Sequence, residues 1–189
     1  CFVKPATLNV GGSYVEAILQ HEHPEWVGTP TDFISHAWRY DFKAFVTALR
    51  EESDLRDQDL ISEGLDPIGD KRMYWNDIFV EDQNATESKP EGYFFDAFRT
   101  AVTSIGRTVL VVAPLRSPIV LSRCWCVWEI FSTLEAEEAE LCIAFPPSER
   151  AQFQEMLHND FDGLTTLLSD VNTKTARHLY RTTKKKSIG

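Results

Sequence analysis

The chain of 189 residues carries 29 Asp and Glu against 19 Lys and Arg, a formal charge of −10. Apolar residues make up 43% and aromatics 12%, enough to fill one core, so a disordered chain is excluded. The acidic balance argues against a nucleic-acid partner, because polynucleotide affinity comes largely from Lys and Arg displacing counterions.

Residues 1–30 read as an irregular N-terminal extension, punctuated by Gly11, Gly12, Pro24, Gly28 and Pro30, with one helix-like stretch over 14–19. Residues 32–38 (DFISHAW) are expected to form the first strand. Phe42, Phe45, Val46 and Leu49 follow at helical spacing. The polar stretch from about 51 to 72 has no clear period and reads as an insertion with at most a helical turn. Residues 73–80 (MYWNDIFV) are predicted as a second strand, followed by an acidic loop over 81–92. Phe94, Phe95, Phe98, Val102 and Ile105 repeat as a second helix, with Gly106 as its stop.

Residues 107–113 (RTVLVVA) are the continuous apolar run of a strand buried on both faces. A loop with Pro114 and Pro118 leads into a third helix over about 121–138, a fourth strand over 140–145 (ELCIAF), and helical patterns around Phe153 and over 172–181. Four strand-helix alternations predict an α/β domain over 31–181: a three-layer, flavodoxin-like parallel sheet with helices on both faces, and a basic tail over 182–189. In such sheets ligands bind beyond the carboxyl ends of the strands. That rule selects 36–40, 77–82, 113–118 and the start of the third helix.

No run approaches the roughly 18 apolar residues that cross a bilayer, so no membrane segment is expected. Four Cys are too few for a disulfide scaffold, and a cytoplasmic setting with reduced, buried thiols is expected. The chain opens at Cys1 and stops within a basic stretch, so it is expected to be part of a longer polypeptide. There is no Gly-rich phosphate cradle, no nucleophile elbow and no zincin motif. Cys124 and Cys126 are spaced to point apart on a helix, against a zinc site, and no metal is expected. In the third helix Ser122, Cys126, Glu129 and Thr133 form a polar stripe. Glu129 is either a solvated residue on that stripe or a carboxylate at the rim of an apolar pocket, with Trp125 one turn away.

Residues 122–130 (SRCWCVWEI) resemble the S-x-x-W-C-x-x-E-L stretch of Toll/interleukin-1 receptor (TIR) domains, above all those of plant immune receptors. Residues 33–36 (FISH) resemble the family's first-strand box, with His36 in place of Tyr or Phe. Residues 75–77 (WND) fall where it carries a second-strand Asp, and 109–114 resemble its third strand. A further resemblance is to the fungal heterokaryon-incompatibility domain, whose boxes are echoed by Ser35, His36, Ala37 and Trp38 and by Trp75, Asn76, Asp77 and Gln83.

The resemblance implies an NAD⁺ glycohydrolase, with a cyclising variant open, acting in signalling, immunity or cell death and activated by self-association. NAD⁺ is then a substrate, and no cofactor is implied. Glu129 would be catalytic. Ser35, His36, Ala37, Trp38, Trp75 and Asp77 would bind substrate, and Trp125 would buttress Glu129. A carboxylate suits this chemistry because cleaving the nicotinamide-ribose bond develops oxocarbenium character. Two other readings stay open: a scaffold using the same faces for self-association, with acidic runs meeting the basic tail, and a sensor that binds a nucleotide-derived signal without turnover.

Overall fold

A computed structural model describes residues 2–160. Four parallel strands form one sheet in the order β2-β1-β3-β4: β1 (Asp32–Ser35), β2 (Tyr74–Trp75), β3 (Arg107–Val111) and β4 (Glu140–Ala144). Phe33 pairs with Trp75 on one side and Thr108 on the other, and Val109 with Cys142. The helices, in chain order, are α1 (Val3–Thr7), α2 (Gln20–Glu22), α3 (Phe42–Ser62), α4 (Asp77–Val80), α5 (Tyr93–Ile105), α6 (Ile119–Ser122), α7 (Cys124–Glu135) and α8 (Pro147–Asn159). A π-helical turn covers Val15–Leu19.

Alternation along the strands divides the core. Ile34, Val109 and Val111 face Phe45, Ala48 and Leu49 of α3. Phe33 faces Phe98 and Val102 of α5, and Leu110 joins Cys126 of α7 and Met156 of α8 in a third cluster. β3 is buried at all five positions, as its unbroken apolar run predicts. Ser35 lies two residues from Phe33, and both contact the α5/α7 layer.

Several elements differ from expectation. The polar stretch after residue 50 is helix, since α3 continues to Ser62. Asp41 caps its start, accepting from Ala44 N at 2.8 Å. Its second half buries charge rather than apolar surface. Glu52 pairs with Arg107, which also pairs with the fully buried Asp32, and Arg72 bridges Asp32 at 3.4 Å and Asp57 at 2.8 Å. Asp57 also accepts from Ile68 N and Gly69 N, both at 3.0 Å, tying the following loop to α3.

The second strand is two residues long because Asn76 accepts from Ile78 N at 3.0 Å and caps α4 in place of further pairing. The third helical pattern is broken at Arg123, whose φ of −96° and ψ of 123° are extended, so α6 and α7 are separate. α5 and its stop agree with the pattern, Gly106 standing at φ 75°. α1 falls where the sequence reads as irregular. The helical pattern over 172–181, the basic tail and Cys1 lie outside the described residues.

Candidate active site

α7 presents its polar stripe to the sheet and not to water. Cys126, Glu129 and Thr133 are buried while Phe131 and Leu134 are exposed. Thr133 Oγ1 meets Thr108 Oγ1 of β3 at 2.8 Å, and Cys126 Sγ lies 3.4 Å from the His36 carbonyl. These contacts fix the rotation of α7. Glu129 is therefore carried under the end of β1, where it is 5% exposed and the Ser35 hydroxyl lies 2.5 Å from its Oε2. The solvated reading of Glu129 is thereby overturned.

Glu129 lines a cavity of about 340 Å³ at the carboxyl ends of β1 and β2. Its floor holds Glu129, Cys126, His36 and Asp77. Phe94, Phe98 and Trp125 form an aromatic wall, and Trp38 and Arg123 stand beside them. Exposed Lys4, buried Glu81 and Gln83, and Thr86 complete the lining. Trp38 is half exposed, and its indole N–H donates to Asp77 Oδ2 at 2.9 Å. Gln83 Nε2 donates to the Asp77 carbonyl at 2.8 Å, holding the acidic loop against α4. Trp125 packs on Phe95 at 4.5 Å and Phe94 at 6.0 Å between ring centres.

Burial dominates the electrostatics. It pushes the Glu129 carboxyl up to about 8; the Ser35 hydrogen bond opposes this, Asp77 adds to it and Arg123 counters it. Asp77 rises to about 6, chiefly by burial, against the pull of the Trp38 hydrogen bond. Two carboxyls of different acidity thus share one cavity, the pattern that separates acid from base roles. Asp77 Oδ1 is buried without a hydrogen-bond partner. His36 is depressed to about 4 by burial and by Arg123, so it is neutral near pH ~7. Cys126 is pushed up to about 12 by burial, which removes it as a nucleophile.

Of the residues singled out from sequence, Ser35, His36, Trp38, Asp77, Trp125 and Glu129 come together here. Ala37 is fully buried in the apolar cluster with Leu110 and Val120, and Trp75 stacks on Phe33 at 4.7 Å; neither lines the cavity. Sequence reasoning overlooked Arg123, although it stands within the Trp-Cys box, and Lys4, for which no sequence signal exists. Phe94 and Phe98 were visible only as a helical repeat. Among the described residues no cluster of His, Cys, Asp or Glu is arranged to hold a metal ion, and no helix is long and apolar enough to cross a membrane. No family model, curated protein or solved structure matches this chain.

Proposed function

We propose that this chain is a divergent TIR-like domain whose cavity cleaves NAD⁺ at the nicotinamide-ribose bond. The observation that carries the reading is Glu129, a buried carboxyl inside an aromatic-walled cavity with Ser35 on its Oε2. The strand order β2-β1-β3-β4 supports it, because it begins the flavodoxin-like order 2-1-3-4-5, and the cavity adjoins the end of β1, where that order reverses.

Nicotinamide departs as a neutral base, taking the electron pair of the bond to C1′, and positive charge develops on the ribose. Glu129, largely protonated near pH ~7 in the empty site, is favoured in its ionised form beside the cationic nicotinamide ring, and that carboxylate stabilises the developing charge from a buried position. Water then bonds to C1′ and gives up a proton. Asp77, ionised near pH ~7 and with Oδ1 unpartnered, accepts that proton or orients a ribose hydroxyl. Exposed Trp38 and the Phe94, Phe98 and Trp125 wall supply ring faces for the flat bases.

Incubation with NAD⁺ at high protein concentration and chromatography of the products tests the reading. Nicotinamide and ADP-ribose, or its cyclic form, are expected from the wild type and not from Glu129→Ala. No nicotinamide, or release that the substitution leaves unchanged, would refute it. Tight NAD⁺ binding without product would favour the sensor.

A further inference from the structure

The N-terminal segment is built into the cavity. Val3 and Thr7 of α1 are fully buried, and Phe2 packs edge-on to Tyr14 at 5.4 Å. Asn84, on the loop after α4, donates its side-chain amide to the Lys4 carbonyl at 3.2 Å and to Thr7 Oγ1 at 2.9 Å. These contacts hold the backbone of an exposed residue at the rim, and the Lys4 side chain lines the cavity.

Among the described residues Lys4 and Arg123 are the two cations that line the cavity. Among the described residues neither takes part in an ion pair. Arg123 Nε is buried without a hydrogen-bond partner, a costly arrangement that a ligand anion would relieve. Arg123 acts at a distance on both Asp77 and Glu129, but neither carboxyl makes a salt bridge or hydrogen bond to it: Asp77 Oδ2 is held by Trp38 and Glu129 by Ser35, and the cation acting on Glu81 is Lys89. The aromatic wall suits a flat base, and the carboxyl floor suits sugar hydroxyls. Two unpaired cations complete the complement of a nucleotide, and a cavity of about 340 Å³ is in the range of small-ligand sites.

We propose that Lys4 and Arg123 recognise the phosphate groups of a nucleotide ligand, so that the N-terminal segment is part of the binding site. This rests on the cavity being a nucleotide site and not on the cleavage reaction.

The test is titration of ADP and of adenosine into the 189-residue chain, followed by tryptophan fluorescence, since Trp38 and Trp125 line the cavity. ADP is expected to bind more tightly than adenosine, with an advantage that shrinks as salt is raised. Lys4→Ala should weaken ADP about five-fold, as for one exposed charge contact, and leave adenosine unchanged; Lys4→Arg should restore most of the loss. Equal ADP affinity in wild type and Lys4→Ala, ADP no tighter than adenosine, or no ADP binding would overturn the proposal. If this pattern holds while NAD⁺ stays intact, the cleavage reading falls and this one stands. Nicotinamide release with no Lys4 effect on ADP reverses that outcome.

Discussion

Ser35 and Glu129 lie 94 residues apart in sequence and 2.5 Å apart in space. The strand end supplies a hydroxyl to a carboxyl that burial pushes up to about 8, and the hydrogen bond pulls that carboxyl part of the way back toward its charged form. Removing that hydroxyl should drive the carboxyl further from the usual carboxylate range. If Glu129 ionisation limits the reaction, the alkaline-going rise of kcat/KM for NAD⁺ should have its midpoint near the wild-type Glu129 value of about 8 and should move to higher pH in Ser35→Ala. Activity near pH ~7 should fall about ten-fold. An unmoved limb would mean that Glu129 ionisation does not limit the reaction.

The bound substrate should itself move that limb. The nicotinamide ring of NAD⁺ is cationic, and a positive charge beside Glu129 favours its ionised form. The limb in kcat, which reports the complex, should therefore lie at lower pH than the limb in kcat/KM, which reports the free enzyme. Coincident limbs would place the pyridinium away from Glu129.

Stability should carry the same signature. Folding raises the Glu129 carboxyl from its ordinary 4.5 to about 8. Below the first value both states hold the proton. Between the two values only the folded state does, so stability is lost as pH rises through this window. Asp77 adds a loss of the same sign up to about 6, and His36, depressed to about 4, acts oppositely by destabilising the fold as pH falls below 6.5. Glu129→Gln removes only the first effect. Its melting temperature should match the wild type near pH ~4.5 and exceed it by several degrees near pH ~9, about 1–3 kcal/mol. A difference that does not vary with pH would place Glu129 in water.

The charged face of α3 gives a prediction independent of the cavity. Arg107 is 8% exposed and pairs with Asp32 and Glu52, both buried. Arg107→Ala strands those carboxylates and should cost about 3–5 kcal/mol in urea unfolding. Replacing Arg56, whose ion pair with Glu140 at 3.6 Å is partly exposed, should cost about 1 kcal/mol or less. Equal costs would mean that solvent reaches the network.

How legible each part was follows from where its partners lie. α5 and β3 could be read directly, because their periodicity is apolar and their stop, Gly106, is local. The second half of α3 could not be read, since it is held by charged side chains, buried Glu52 and partly buried Arg56 and Asp57, whose partners Arg107, Glu140 and Arg72 come later in the chain. β2 was over-read because an aromatic run looks like a strand until Asn76 turns back to cap α4. Glu129 stood between a solvated and a pocket-rim reading on its own helix, and the resemblance of the Trp-Cys box favoured the second. Its own helix reads as a polar stripe, and nothing local shows that the stripe faces Thr108 and Ser35. Lys4 was hidden for the same reason, its anchor Asn84 lying 80 residues away.

Nicotinamide release by the wild type and by Glu129→Gln, at one NAD⁺ concentration and with ADP binding verified for both, is the most direct measurement. Gln keeps the shape and a hydrogen bond to Ser35 but no negative charge. The wild type should release nicotinamide and the variant about 10³-fold less, while both still bind ADP. Equal release by the two proteins, or none from either while both bind ADP, would contradict a role for the Glu129 charge in cleavage.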